Sequence, residues 1–313
     1  MSGVDAKICA AWELGIGSWE LGVGIGSLGQ DMQMKTVGVL GCGLMGSGIA
    51  QVSAAAGYKT IVREVEDAFL KKGLGKIEKF LAGGVEKGKV TADERDKTLG
   101  NLAGTTNLGD LKDCDLVIEA IIENIDEKAK AYAVLDAACG QHTIFCSNTS
   151  SLCITELAAR TRRPDRFAGL HFFNPVPLMK LVEVIRGLTT SDDTYQKVFS
   201  FAQSLGKEPI TAPDKPGFIV NRLLVPYLLD AIRSYEHGLG TIEDIDKGMK
   251  LGTGYPMGPF TLLDFVGLDT TYYIANIMFE EYREPAYAPP PLLKRMVLAG
   301  RLGKKSGHGF YKY

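Results

Sequence analysis

A glycine-rich loop between a strand and a helix is the feature that most restricts the fold of this chain. A β-branched and apolar run at 36–41 predicts a strand, and apolar residues at helical spacing from 44 to 56 predict a helix. Between them lies a GxGxxG motif consisting of Gly41, Cys42, Gly43, Leu44, Met45 and Gly46. In this setting the first glycine permits the tight turn, the second lets backbone approach a pyrophosphate, and the third lets the helix pack on the strand. The motif therefore predicts a dinucleotide-binding loop.

The alternation of strands and helices continues to about residue 212. Further strands are predicted at 59–64, 115–120, 143–147, 166–171 and 181–186, and further helices at 68–81, 127–138 and 195–205. Short apolar runs that alternate with helical patterns are typical of βαβ units, which form a parallel sheet with helices on both faces. The predicted fold class of this part is α/β, a Rossmann-type doubly wound, mostly parallel sheet.

The pattern changes around Pro213 and Pro216, because proline removes a backbone donor and restricts the residue before it. From residue 217 onward it is helical, with one long amphipathic run at 218–236. Thr241 and Asp244 have the spacing of a capping box, which predicts the start of the next helix there. We therefore expect a dinucleotide-binding domain over 35–216 and an all-α domain over 217–313.

Composition excludes several classes of protein. The 313 residues are 45% hydrophobic and 23% charged, and no apolar run approaches the ~20 residues of a membrane span. With 35 basic and 37 acidic side chains the net charge is −2, so no global field favours a nucleic acid. The six cysteines show no CxxC pair or zinc-ligand spacing. These features predict a cytoplasmic protein without a bound metal, a nucleic-acid partner or a membrane partner.

The first 34 residues differ from the rest. They contain both tryptophans of the chain, within the near-duplicate WELGIGS and WELGVGIGS. A secretory signal needs a basic start and an unbroken apolar stretch, and a mitochondrial presequence needs arginines with few acids, so the segment matches neither. Because Met34 lies two residues before the first strand, we expect residues 1–34 to be an appendage that activity does not require.

The acid that follows the second predicted strand bears on the choice of cofactor. Glu64 lies 18 residues beyond Gly46, where an acid accepts hydrogen bonds from the ribose hydroxyls and repels a 2′-phosphate. This favours NAD. Arg63 beside it leaves NADP open, since an arginine can pair with the extra phosphate.

A nicotinamide enzyme that oxidises an alcohol needs a base, and histidine, with an ordinary pKa of about 6.5, is the usual choice. Of the four histidines, His142, His237 and His308 have the setting of solvated or capping residues. His171 instead ends a predicted strand, at the edge where doubly wound sheets bind ligands. We therefore take His171 as the candidate base.

Three polar residues in marked settings accompany this histidine. Glu183 interrupts the apolar strand LVEVI, and a buried carboxylate needs a partner, so we expect it to orient His171. Ser150 follows a strand in SNTSS, and Asn221 lies in the apolar helix start GFIVN. Each can hydrogen-bond a substrate oxygen. Ser150 lacks a nucleophile-elbow sequence, which argues against covalent catalysis.

Several longer runs resemble the 3-hydroxyacyl-CoA dehydrogenase family, in particular its stand-alone bacterial 3-hydroxybutyryl-CoA dehydrogenases. They are SNTSSL, HFFNPVPLMKLVEVI, PGFIVNRLLVPYLLDAIR, GYPMGPF and GKKSGHGFYKY, and the likeness covers residues 35–313. The resemblance implies NAD-linked, reversible oxidation of an (S)-3-hydroxyacyl-CoA and a helical domain that binds substrate and forms a homodimer. A short-chain substrate is favoured because no hydratase domain is fused to the chain.

The resemblance also implies roles for individual residues. His171 matches the catalytic base, Glu183 its carboxylate partner, and Ser150 and Asn221 the groups that bind the reacting oxygens. The positions that match cofactor contacts are the glycine loop, Glu64, Glu123, Lys128, Ser150, Asn174 and Lys305. Two departures are Glu64, where many relatives carry aspartate, and the segment 1–34.

Three lysines could bind the phosphates of coenzyme A. Lys72, Lys76 and Lys79 recur at a spacing of four and three, so they share one helix face. They could equally be a solvated face, which is the usual reading of such a charge run.

Two other functions stay open at this point. One is a β-hydroxyacid dehydrogenase that acts on free acids through a lysine. The other is a non-catalytic NAD-binding structural or sensing protein on the same fold.

Overall fold

The computed structural model describes residues 34–313, so the expectation for the segment 1–34 lies, apart from Met34, outside the described residues. Eight strands form one sheet. They are β1 (Thr36–Leu40), β2 (Lys59–Arg63), β3 (Leu102–Thr105), β4 (Leu116–Glu119), β5 (Ile144–Ser147), β6 (Phe167–Phe172), β7 (Leu181–Arg186) and β8 (Glu208–Pro213).

Eleven α-helices accompany the sheet in the described part of the chain. Six lie between the strands: α1 (Leu44–Ala55), α2 (Asp67–Glu86), α3 (Ala92–Gly100), α4 (Ile125–Ala138), α5 (Ile154–Ala159) and α6 (Asp192–Ser204). Five follow the sheet: α7 (Val220–Glu236), α8 (Ile242–Thr253), α9 (Pro259–Val266), α10 (Leu268–Tyr282) and α11 (Pro291–Leu298). Thr241 is the N-cap of α8, and its hydroxyl accepts the Asp244 N–H at 3.1 Å.

The strand order is β3-β2-β1-β4-β5-β6-β7-β8. Strands β1 to β6 are parallel, β7 is antiparallel to β6, and β8 is parallel to β7. The order 3-2-1-4-5-6 is that of a Rossmann fold, which places the dinucleotide crevice at the carboxyl ends of β1 and β4. The predicted fold class, a mostly parallel doubly wound sheet followed by a helical part, is confirmed.

Among the strands and α-helices from β1 to β8, four escape the sequence patterns: β3, β8, α3 and the six-residue helix α5. The strand β3, with sequence LAGT, has too few β-branched or large apolar residues to be recognised. The strand β8, EPITAP, contains two prolines, which a sheet tolerates at its edge, where β8 lies. The helix α3 is polar, and its start is instead marked by the Thr91–Glu94 capping box.

The core lies in layers on the two faces of the sheet. Because side chains alternate along a strand, Leu116 and Ile118 of β4 join one apolar cluster and Val117 joins the other. A third cluster is built from the helices that follow the sheet, with Val225, Phe260 and Met278 among its buried members. Among residues 34–313 no helix has the length and apolarity needed to cross a membrane.

Two buried aspartates fix the C-terminal segment on the helical part. Asp264 accepts the N–H groups of Phe310 and Tyr311, both at 2.8 Å. Asp246 accepts the Tyr311 hydroxyl at 3.0 Å. This anchoring determines where the lysines of GKKSGHGFYKY lie.

Candidate active site

The glycine loop has the geometry that a pyrophosphate requires. Gly41 has φ +99°, and a Cβ at Gly46 would collide with the carbonyl oxygen of Gly41, so both positions need glycine for the fold. A Cβ at Gly43 would meet no protein atom within 4 Å, so this glycine leaves open space. The start of α1 has no side-chain cap and no acid in its first turn. Its N–H groups are therefore free for an anion.

Glu64 holds the glycine loop at the end of β2. Its Oε1 accepts the Cys42 N–H at 2.9 Å, and its Oε2 accepts the Val65 N–H at 2.8 Å. A Cβ at Gly73 of α2 would collide with Cys42, so α2 packs directly on the loop. Burial, together with Glu64, raises the pKa of Cys42 to about 11, which keeps a thiolate charge away from the phosphates.

Exposed apolar side chains lie around this crevice. Leu44, Val65, Phe69 and Ile122 follow the carboxyl ends of β1, β2 and β4, and all four are more than half exposed. Apolar surface at this position suits the flat rings of a dinucleotide. Together with the loop, these residues fit the cofactor that the motif predicts.

His171 and Glu183 form a buried dyad because of strand register. They are directly paired residues of the antiparallel strands β6 and β7, so their side chains point to the same face of the sheet. His171 Nδ1 lies 2.7 Å from Glu183 Oε2, and both side chains are buried. A carboxylate at this distance holds the imidazole with Nδ1 protonated, which leaves the Nε2 lone pair free to act as a base.

Glu183 also binds the start of the helical part. Its Oε1 accepts the N–H groups of Ile219 and Val220, both at 3.0 Å. These groups lie at the N-terminus of α7, where the helix dipole stabilises a negative charge. The turn that presents them is left-handed at Gly217 (φ +82°) and Phe218 (φ +47°). Asn221 is the next residue along α7, so Glu183 also fixes its position.

The second ring nitrogen of His171, Nε2, faces Ser150. Ser150 Oγ lies 3.2 Å from His171 Nε2. The ring centroids of Phe173 and Phe218 lie 4.6 Å and 5.5 Å from that of the imidazole. Two phenylalanine rings therefore pack near the imidazole, which is itself buried. The sequence-predicted residues His171, Glu183 and Ser150 are therefore in direct contact.

A buried charge network supports the Ser150 turn. Glu123 Oε1 accepts the Ser150 N–H at 3.1 Å and also contacts the Thr149 hydroxyl. Lys128 lies behind it, with Nζ 3.1 Å from Glu123 Oε2 and 2.5 Å from Glu119 Oε1. Lys128 is only 1% exposed, so it supports Glu123 from below the surface of the crevice.

Glu119 is a buried charged member of this network that the sequence patterns missed. It is fully buried at the end of β4, and burial raises its pKa, while Lys128 opposes the shift. The signal that could have found it is the one that selects Glu183, a single acid at an apolar strand, here LVIE.

The remaining candidates lie on four other parts of the fold. Asn174 is exposed in the loop after β6, and Asn221 is half-buried in the first turn of α7. Lys305 Nζ pairs with Asp269 at 2.6 Å. Lys72 and Lys76 are exposed on α2.

Comparison with known proteins gives a consistent result. The model of the 3-hydroxyacyl-CoA dehydrogenase NAD-binding domain matches residues 36–215, and that of the C-terminal domain of the same family matches residues 217–313. The chain belongs to the 3-hydroxyacyl-CoA dehydrogenase family. It is thus an oxidoreductase with NAD as its cofactor.

Individual proteins of the family are similar to this chain over most of their length. A 3-hydroxybutyryl-CoA dehydrogenase of Mycobacterium tuberculosis is 51% identical over 282 residues, which cover 90% of this chain and 99% of the relative. The human mitochondrial hydroxyacyl-coenzyme A dehydrogenase is 50% identical over 90% of this chain and 91% of its own length. The crystal structure of (S)-3-hydroxybutyryl-CoA dehydrogenase from Ralstonia eutropha superposes with a TM-score of 0.87 at 45% identity, covering 90% and 99% of the two chains.

Proposed function

We propose that this protein catalyses the NAD-dependent, reversible oxidation of an (S)-3-hydroxyacyl-CoA to the 3-ketoacyl-CoA, with His171 as general base. The observation that carries the proposal is the chain of contacts from Ser150 through His171 to Glu183, at 3.2 Å and 2.7 Å. This chain lies at the carboxyl edge of β6, and the glycine loop follows β1 at the same edge of the sheet.

In the oxidising direction the substrate hydroxyl binds at His171 Nε2 and Ser150 Oγ. Nε2 takes the hydroxyl proton as the C3–H bond breaks and the carbonyl forms. Bound NAD⁺ supplies the acceptor for the hydride. Glu183 stabilises the imidazolium that results, and the reverse reaction returns the proton to the oxygen. A positioned base of this kind contributes about 10²–10⁴ in rate.

The other candidates take roles around this step. Asn221, held at the start of α7 next to Glu183, donates its amide to the substrate oxygens. The glycine loop, Glu64, Glu123 and Asn174 contact NAD, and Lys128 acts through Glu123. Lys305 reaches the cofactor once it leaves Asp269.

The coenzyme A part of the substrate is the reason to include the lysines of α2. Lys72 and Lys76 are exposed while the opposite face of α2, with Gly73 and Ile77, is buried against the fold. Lys76 opposes the rise in the pKa of Cys42 that burial and Glu64 cause, so its charge acts at the glycine loop. Exposed lysines beside the crevice suit the adenosine phosphates of an acyl-CoA.

The finer parts of the proposal are a short acyl chain, a homodimer and a cytoplasmic location. The bacterial relatives named for 3-hydroxybutyryl-CoA support the short chain. Apolar side chains exposed on the helical part, Leu239 and Leu251 among them, support dimerisation through residues 217–313. The free, mostly buried thiols of the described cysteines support a reducing compartment.

The test is an assay of NADH oxidation with acetoacetyl-CoA, run in parallel with free acetoacetate and with NADPH. We expect turnover with the thioester and NADH, and the loss of at least 10²-fold in kcat in His171→Gln with NAD binding retained. Turnover of the free acid alone would favour a β-hydroxyacid dehydrogenase. No turnover with any pair would favour a non-catalytic NAD-binding protein.

A further inference from the structure

Three charged side chains behind the Ser150 turn take no part in the proton transfer. Lys128 Nζ lies 2.5 Å from Glu119 Oε1 and 3.1 Å from Glu123 Oε2. Glu119 and Lys128 are buried, whereas the side chain of Glu123 is 27% exposed. The two carboxylates and one ammonium group have a net charge of −1. Glu123, the partly exposed residue of the three, lies on the side of the crevice.

The hydrogen bonds of Glu119 fit its ionised form. Its oxygens accept from Lys128, from the Ser147 hydroxyl at 2.6 Å and from the Ile121 N–H at 2.8 Å. Ser147 accepts the Thr149 N–H, which leaves its own hydrogen for Glu119. Burial raises the pKa of Glu119, and these donors counteract that rise by stabilising the carboxylate. Glu119 therefore offsets the charge of Lys128, and the charge of Glu123 is left unbalanced.

The contacts of Ser150 relate this charge to the reacting groups. Glu123 Oε1 lies 3.1 Å from the Ser150 nitrogen, and Ser150 Oγ lies 3.2 Å from His171 Nε2. On the proposed function, the hydride acceptor lies beside the carbon whose hydroxyl reaches His171. The turn at 149–151, which Glu123 contacts, would then hold the nicotinamide end of the cofactor. The nicotinamide ring carries a positive charge in NAD⁺ and none in NADH.

We infer that the unbalanced charge of Glu119, Lys128 and Glu123 makes the site discriminate between the two redox forms of its cofactor, in favour of NAD⁺. Glu119 is a positioning and specificity-determining residue in this arrangement, although Lys128 and Glu123 separate it from the crevice. Coulomb's law gives the expected size of the effect. One unit charge at a separation of roughly 8 Å from the nicotinamide ring, in an effective dielectric of about 30, changes the ratio of the affinities for NAD⁺ and NADH about tenfold.

The test measures Kd for NAD⁺ and for NADH separately, without substrate, in Glu119→Gln. This change keeps the shape of the side chain and brings the sum of the three charges to zero. We expect the ratio of Kd for NAD⁺ to Kd for NADH to rise about tenfold, through weaker binding of NAD⁺. The matched control is Glu127→Gln, at an exposed position of α4 next to Lys128, where we expect the ratio to change less than twofold.

Other outcomes overturn the inference. Equally weaker binding of NAD⁺ and NADH would show a purely structural role for Glu119. An unchanged ratio of Kd values in a folded variant would show that the charge does not act on the nicotinamide ring. If Glu119→Gln does not fold, Glu123→Gln at the partly exposed position answers the same question by the same ratio. The ratio of Kd values is measured on cofactor binding alone. An unchanged ratio with normal turnover of acetoacetyl-CoA would therefore contradict only this inference, and a shifted ratio without turnover would contradict only the proposed function.

Discussion

Glu183→Gln is the substitution with the sharpest expected effect, because both oxygens of Glu183 accept hydrogen bonds. One oxygen accepts from His171 Nδ1 at 2.7 Å, and the other from the N–H groups of Ile219 and Val220 at 3.0 Å. Glutamine has the same shape but only one acceptor. It can therefore satisfy His171 or the start of α7, but not both.

The cost of each arrangement can be compared. If the glutamine oxygen faces His171, the amide group faces two buried N–H donors, and each unsatisfied donor costs about 1–3 kcal/mol. If the oxygen instead faces Ile219 and Val220, the amide donates to Nδ1, and the proton of the neutral imidazole moves to Nε2. The second arrangement is favoured by about 2–6 kcal/mol on this count. It leaves His171 without a basic nitrogen toward the substrate.

We therefore expect kcat to fall by about 30-fold to 10⁴-fold in Glu183→Gln, since each 1.4 kcal/mol is about tenfold in the population of the competent tautomer. The assay is NADH oxidation with acetoacetyl-CoA, and ¹⁵N NMR of the histidine ring reports directly which nitrogen is protonated. The matched control is Glu208→Gln on the adjacent strand β8, where the side chain is 75% exposed and activity should not change. Wild-type turnover in Glu183→Gln, or a ring still protonated at Nδ1, would refute the reasoning.

Three further predictions concern the cofactor and substrate. Gly43→Ala should fold normally but weaken NAD⁺ binding at least tenfold, because the added methyl group fills the pyrophosphate space; titration with NAD⁺ measures this. Gly46→Ala should instead lower the melting temperature, which calorimetry measures, because its methyl group collides with backbone. Charge reversal at Lys72 and Lys76 should raise KM for acetoacetyl-CoA severalfold without affecting a short thioester that lacks the nucleotide, and equal damage to both substrates would reject the phosphate contact. Tyr273→Phe removes a 2.6 Å hydrogen bond from α10 to the Glu123 carbonyl and should lower kcat/KM by about threefold to tenfold. Unchanged activity would contradict a role for this hydrogen bond.

Six of the eight strands and the dyad could be predicted from sequence because local patterns specify them. The loop at Gly41 to Gly46 has a strand before it and a helix after it, and these determine its conformation. His171 and Glu183 could be paired because an acid in an apolar strand requires a partner. The sequence also contains the reason for the antiparallel pairing of β6 and β7. Their link, 173–180, is too short for the crossover that a parallel pair needs.

The rest of the site depends on contacts that no local pattern carries. Glu183 and the α7 start are 36 and 37 positions apart in the chain, and only the docking of the helical part on β7 brings them together. The Tyr273 hydroxyl reaches a carbonyl 150 positions away. Lys128 matches a cofactor contact by resemblance, but its burial behind Glu123 becomes evident only in three dimensions.

The two oxygens of Glu183 make the orientation of the His171 imidazole and the docking of the helical part depend on one residue. If the start of α7 moved away, Oε1 would lose two donors, and the negative charge on the carboxylate would act more strongly on the His171 imidazolium. The same movement would carry Asn221 away from the substrate oxygens, since it follows Val220 directly in the helix. On the proposed function, a substrate oxygen without its donor would react more slowly. On the proposed function, we therefore expect turnover to require the helical part to be docked on β7.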